Sequence, residues 1–280
     1  MRNRWAVTLL TNVIGWGLAL LWISPLIGII MAAIRPVEEI LYGWWNLRSF
    51  HVTFTNFLYA WAGSKGTYPL SKGILNSLIV ATSSTVLPML AGSLAAYAFA
   101  RFTFPLRRAL FATIAVLMAI PQMMVAIPLF MLLDSLGLLD TYLGLILLHS
   151  AWGTPWITLF LRNFFMTLPK ELEEAARVDG ATDLQIFYKV ILPISIPALL
   201  SVVALQFTWV WNDFFFALLT MMSPEHYVAT QCIVWMRGKL HTPWGLISAG
   251  SLITMSIPVA IFFILQKYYI KGMIGWMIKG

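Results

Sequence analysis

Residues 168–193 read LPKELEEAARVDGATDLQIFYKVILP, an island of charge set between two long uncharged runs at 141–161 and 190–212. Pro169 suits the start of a helix, where its missing N–H would have no partner anyway. Glu171 and Glu173 favour the positive end of the helix dipole. Leu172, Ala175, Ala176 and Asp179 share one face at i, i+3, i+4, i+7 spacing, and Glu173 with Arg177 makes an i, i+4 ion pair on another. Gly180 ends the helix, because it takes positive φ without a Cβ penalty. Thr182 with Gln185 is a capping-box pattern that opens a second short helix toward Pro193. The island therefore reads as helix, glycine turn, helix, with two alanines bracketed by charge on a face that a partner protein can approach closely.

Outward from the island the chain is apolar. Of 280 residues, 60% are hydrophobic and 10% are charged, against about 25% charged in a soluble domain. Runs free of Lys, Arg, Asp and Glu cover 5–34, 73–100, 109–133, 141–161, 190–212 and 240–266. Each reaches the ~20 residues a helix needs to cross the hydrocarbon layer. The alternation of a membrane β-barrel is missing, and helices satisfy their own backbone in lipid. The expectation is an all-α integral membrane protein of six transmembrane helices, with a cytoplasmic helix-turn-helix coupling loop between spans 4 and 5. The fifth helix is expected over 197–220. Pro25, Pro88, Pro121, Pro128 and Pro258 punctuate the spans, and the small residues of 91–98 permit close helix contact. Two regions are expected: 1–71, a first helix plus an extracytoplasmic segment rich in aromatic residues that suit the membrane–water boundary, and 72–280, the core of spans 2–6.

Basic residues orient the chain. With the amino terminus in the cytoplasm, Arg2, Arg4, Arg101, Arg107, Arg108, Arg162, Lys170, Arg177, Lys189, Lys267, Lys271 and Lys279 lie inside, and Arg35, Arg48, Lys65, Lys72, Arg237 and Lys239 outside. Both termini are then cytoplasmic. The formal charge of +7 is read as facing anionic lipid rather than nucleic acid. No phosphate-binding G-x-x-x-x-G-K-[ST] loop occurs, since Gly238-Lys239 is followed by leucine. The four histidines are scattered, and Cys232 is alone, so neither a metal site nor an intramolecular disulfide is expected.

The island resembles the signature loop of binding-protein-dependent ABC importer permeases, whose pattern is EAA, three residues, Gly, nine residues, Ile, one residue, Leu-Pro. Here Glu174-Ala175-Ala176, Gly180, Val190 in the isoleucine position, and Leu192-Pro193 match it, with valine as a conservative departure. The stretch AAYAFARFTFP at 95–105, Trp211-Asn212-Asp213-Phe214, Trp244-Gly245-Leu246 and the terminal Lys279-Gly280 are similar to inner-membrane permeases of the carbohydrate, maltose-permease type. The resemblance implies a transport subunit, not an enzyme, in the cell inner membrane. It implies a second related permease, two cytoplasmic ATPase subunits that carry ATP and magnesium, and an extracytoplasmic solute-binding protein. No cofactor is expected in this chain, and the solute implied is a sugar. A non-sugar solute is the alternative, and a secondary transporter a weaker one, since it would need mid-membrane ion-coupling residues or repeats.

Coupling to the ATPase is assigned to Glu174 and Asp179 as polar contacts, Ala175 and Ala176 for close approach, and Gly180 for the turn. Asp213 is the one carboxylate inside a span, where a charge costs ~2.5–3.5 kcal/mol. With Trp211 and Asn212 it has the chemistry of a sugar contact or of a helix–helix lock. Gln122 and Asn76 are further pathway candidates. The outer loop 221–245, with turns at Pro224, Gly238 and Pro243 and an aromatic anchor at Trp244, is expected to face the binding protein, with Pro243 and Trp244 as docking residues.

Overall fold

The computed structural model describes residues 2–63, 67–237 and 242–277; Lys65, Gly238, Lys239, Lys279 and Gly280 lie outside them. In chain order the helices are α1 (Arg2–Ala33), α2 (Val37–Ile40), α3 (Thr55–Ala62), α4 (Leu70–Arg101), α5 (Arg107–Met118), α6 (Ala126–Ser135) and α7 (Tyr142–Phe165). There follow α8 (Glu171–Val178), α9 (Asp183–Ile186), α10 (Leu192–Ile194), α11 (Ile196–Asn212), α12 (Phe215–Thr220), α13 (Ala229–Trp235) and α14 (Trp244–Met277). No strand occurs among the described residues. Val7–Ala33, Leu70–Arg101, Tyr142–Phe165 and Trp244–Gln266 are long and apolar enough to cross a membrane alone, and two bent pairs bring the number to six if each is one span.

Breaks in the chain correct two expected helices. The run 109–133 is not one helix: α5 ends before Pro121, and a 3₁₀ turn (Gln122–Val125) leads into α6 at an angle of 98°. Pro121 has no N–H to give and pushes Ile120 away from helical geometry. The helix expected over 197–220 stops at Asn212, where Asp213 turns extended (ψ 133), and restarts as α12. A second bend of 77° separates Asp183–Ile194 from Ile196–Asn212, at a site flanked by Pro193 and Pro197.

The chain divides into two compact units, Met1–Ser71 with Cys232–Met255, and Lys72–Gln231 with Ser256–Gly280. In the first, α1 buries none of its most apolar stretch. The segment after it is wound around Arg35, whose side chain is 1% exposed. The guanidinium donates to Glu39 Oε2 at 3.0 Å and to the carbonyls of Trp44, Asn46 and Ser49 at 3.2, 2.8 and 2.7 Å. Glu39 also takes a hydrogen bond from His51, which holds its carboxyl below the usual range against the opposing effect of burial, with Arg35 assisting. The aromatic residues around this knot, among them Tyr42, Trp45 and Trp61, stay exposed, as boundary anchors do. Trp244 is exposed at the head of α14, while Gly245 next to it fits under Asn56.

In the second unit one core joins α4, α7, α11 and the turn after α9: Ala96, Tyr97, Ile157, Leu161, Phe165, Ile186, Phe187, Ile191, Ala198 and Val202 are all buried. In lipid, removal from water does not drive such contact, so small residues and interhelical hydrogen bonds matter more. Gly92 is the close point, since a Cβ there would stand 2.8 Å from Ile157 Cγ2. Gln206 of α11 donates to the Ser84 carbonyl at 3.0 Å and accepts from Trp156 Nε1 at 2.8 Å, bonds of a kind worth ~0.6–2 kcal/mol each. The segment after α12 holds more than turns. Its α13 starts with buried Ala229 and Gln231, and Gln231 donates to the carbonyls of Ala217 and Met221.

Candidate functional site

The helix-turn-helix forms as its local signals require. Gly180 has φ +82, and Thr182 and Gln185 make both bonds of the capping box. A π turn at Phe187–Ile191 follows and sends Ile186, Phe187 and Ile191 together into the core.

The expected Glu173–Arg177 pair does not form. Glu173 is buried at 2% exposure and pairs with Arg101, seventy-two residues earlier, both side chains at 5% exposure or less. Tyr97 donates to the other oxygen at 3.3 Å, and Arg101 donates onward to the Leu168 carbonyl at 3.1 Å. Arg177 instead bonds exposed Asp183 at 2.8 Å. The physical reason is desolvation. Ala176 packs against the core, which turns position 173 inward, and a carboxylate there needs a buried counter-charge. So α8 is bolted to the end of α4 by an ion pair and to the core by Ala176.

The outward side carries Glu174, Ala175, Asp179 and Gly180, all exposed. It also carries bulky apolar residues: Leu172, and two that the sequence reading did not single out, Leu184 and Val178, the last 87% exposed. Greasy side chains presented next to Glu174 and Asp179 make a surface suited to a protein groove. A signal was available, since Leu172 and Val178 cannot both lie on the face that buries Glu173 and Ala176.

The pathway candidates separate. Trp211 is 1% exposed and stacked on Phe207 at 5.6 Å, so its ring has no free face. Two residues earlier on the helix, about 200° round its axis, Trp209 is 47% exposed. It lines a cavity of about 600 Å³ with Trp156, Thr208, Asn212, Asp213 and Phe215. Trp209 is the aromatic residue that sequence reasoning missed. Asn212 is exposed at this cavity. Asp213 Oδ2 accepts from the backbone N–H groups of Phe216 and Ala217 at 3.0 and 3.2 Å, capping α12, with His149 Nε2 at 3.5 Å. Gln122 lies beside His149, Gln206 and Trp209 in an adjoining crevice.

Asn76 stands apart from these. Its Nδ2 donates to the Glu225 and Tyr227 carbonyls and its Oδ1 accepts from Tyr142, all within 2.9 Å. That is a latch between α4, α7 and the segment between α12 and α13. The same loop is held by Asp140, whose carboxylate accepts from the Met222 and Ser223 N–H groups and the Ser223 hydroxyl. Burial pushes the Asp140 carboxyl up, but those three bonds and neighbouring His226 overcome it and bring it down to about 2.

Among the described residues no group of His, Cys, Asp and Glu side chains could hold a metal ion. Comparison with known proteins agrees with a transport role. A family model described as a binding-protein-dependent transport system inner membrane component matches residues 88–275. A probable ABC transporter permease protein of Pyrococcus horikoshii is 49% identical over 97% of this chain and 98% of its own. A trehalose transport system permease protein of Mycobacterium tuberculosis is 32% identical over 99% and 97%. The fold is that of a chain in the crystal structure of a bacterial ABC transporter that imports the acidic polysaccharide alginate, with a TM-score of 0.80 at 24% identity, covering 96% of this chain and 98% of that one.

Proposed function

Because the chain belongs to the family of binding-protein-dependent transport system inner membrane components, we propose that it lines half of the membrane pathway of an ATP-driven sugar importer, with α8 as the element that receives the ATPase stroke. The observation that carries this is the build of α8, bolted inward through Glu173 to Arg101 and offering Leu172, Glu174, Ala175, Val178 and Asp179 outward. A lever needs both ends: a rigid joint to the spans it moves and a free face for the partner that moves it. Energy coupling then follows from differential contact of that face in the two states of the partner.

In this reading both termini and α8 are cytoplasmic, on the side richer in Lys and Arg. The partners are a second related permease, two cytoplasmic ATPase subunits holding ATP and magnesium, and an extracytoplasmic solute-binding protein that meets the face containing Pro243 and Trp244. Rigid motion of α8 would pass through the core at Ile186, Phe187 and Ile191 to α7 and α11. Trp209, Asn212 and Gln122 offer the solute an aromatic face beside hydroxyl-binding groups, which supports a polyhydroxylated substrate. The trehalose permease among the relatives supports the same class.

The test is Gly180→Val in the assembled transporter. No atom lies within 4 Å of a Cβ at Gly180, so the substitution adds no clash and acts through the φ of +82, at a cost of ~1–2 kcal/mol. Uptake and substrate-stimulated ATPase activity should both fall while the subunits still assemble. Wild-type values for both would sink the lever assignment.

A further inference from the structure

The end of the second unit that carries α8 also holds a cavity of about 700 Å³, lined by Arg107, Arg108 and Arg162 together with Phe99, Phe104 and Phe111. None of the three guanidiniums belongs to an ion pair among the described residues. Their hydrogen bonds go to neutral groups. Arg107 donates to the Phe99 carbonyl, and Arg162 donates to Asn163 Oδ1 at 3.0 Å and lies 4.6 Å from the Phe111 ring centroid. Arg162 Nε is buried with no partner, and a buried donor on a charged group is costly to leave open.

A second observation points the same way. Arg107 and Arg108 are the first two residues of α5, whose opening turn has no acidic residue and no side-chain cap. The dipole there favours anions and disfavours cations. Positive charge from three side chains and one helix end therefore converges with no counter-charge from the chain. Nearby Arg101, by contrast, has Glu173. The complement of this cavity is an anion, and arginines match phosphate oxygens by paired N–H donors.

We propose that the cavity binds the phosphate headgroup of an anionic phospholipid, drawn from the leaflet on the α8 side. The apolar part of the lining decides between a lipid and a free phosphate. Three phenylalanines stand next to the arginines, and Leu106 at the rim is 73% exposed. This gives an acyl chain a place beside the bound headgroup. Basic pockets between membrane helices on the cytoplasmic side hold anionic headgroups in this way. The bound lipid would supply the missing counter-charge and tie α4, α5 and α7 together at the base of the lever.

The experiment uses the full chain purified in detergent and offered equimolar phosphatidylglycerol and phosphatidylcholine, with retained lipid read by native mass spectrometry. Phosphatidylglycerol should be retained in preference. Arg108→Gln should lower its retention about fivefold, the equivalent of ~1 kcal/mol for one basic residue near an anionic surface. Arg108 is exposed and makes no described hydrogen bond, so this variant should fold normally; Arg162→Gln, checked by thermal unfolding, should lower retention further. Equal retention of the two lipids by the unsubstituted chain, or undiminished phosphatidylglycerol on Arg108→Gln and Arg162→Gln, would overturn the proposal. Inorganic phosphate alone, added in a parallel thermal scan, should stabilise less than phosphatidylglycerol; equal stabilisation without lipid retention would overturn the lipid as source.

Discussion

Replacing Glu173 with glutamine should loosen α8 from the bundle without unfolding the protein. The side chains of Glu173 and Arg101 are 3% and 5% exposed, so the change leaves a buried guanidinium without its counter-charge and with neutral acceptors alone, the new amide oxygen and the Leu168 carbonyl. Removing one partner of a buried pair costs ~3–5 kcal/mol, or on the order of 10²–10⁴-fold in the docked fraction. The loop retains Ile186, Phe187 and Ile191 in the core, so the loss should stay local. Amide hydrogen exchange across residues 171–178 should quicken by that factor, while α7 and α11 keep their protection. In proteoliposomes holding the full transporter, solute moved per ATP hydrolysed should drop, because a slack joint lets the partner move without moving the spans. Exchanging the two residues (Arg101→Glu with Glu173→Arg) should restore part of both signals. The control is Arg177→Gln, which breaks an exposed pair worth under ~1 kcal/mol and should leave exchange at 171–178 nearly unchanged. Unaltered exchange and coupling in Glu173→Gln, or equal effects from Arg177→Gln, would refute the assignment of the joint.

Trp209→Ala should reduce uptake with little effect on folding, whereas Trp211→Ala should lower thermal stability by ~3–5 kcal/mol through the cavity it leaves; solute uptake and unfolding in detergent separate the two, and the opposite pattern would reassign the exposed aromatic. Asp140 should make the segment between α12 and α13 acid-sensitive. Its folded-state carboxyl is lowered to about 2, so its contribution is fully present above the unfolded value of ~3.9 and disappears as pH falls through about 2. The effect should be no more than ~1–2 kcal/mol after solvent screening. Thermal unfolding of Asp140→Asn should decline less across that window than that of the unsubstituted chain.

The parts of this protein that could be read from its residues are those set by near neighbours in the chain. Uncharged runs long enough to cross lipid, the glycine at a positive φ and the Thr182–Gln185 box each depend on a handful of adjacent residues, so pattern alone carries them. The likeness of residues 95–105 to other permeases was visible too, but its physical reason was not. Tyr97 and Arg101, one turn apart on α4, both reach Glu173. Proline at 121 announced a weak point, yet a bend of 98° depends on what the freed backbone packs against.

The charged loop after α7 shows where the division falls. Residues 168–193 by themselves determined a helix, a glycine turn and a second helix, because capping and φ preference are local energies. Which way that helix faces was decided only in three dimensions. An i, i+4 partner for Glu173 was at hand in Arg177, but contact with the core at Ala176 removed water from position 173. A buried carboxylate takes the counter-charge that is buried with it, and that was Arg101. Trp209 and Trp211 follow the same logic: identical side chains two residues apart, one left open and one stacked away by the helical turn and by what lay across from it.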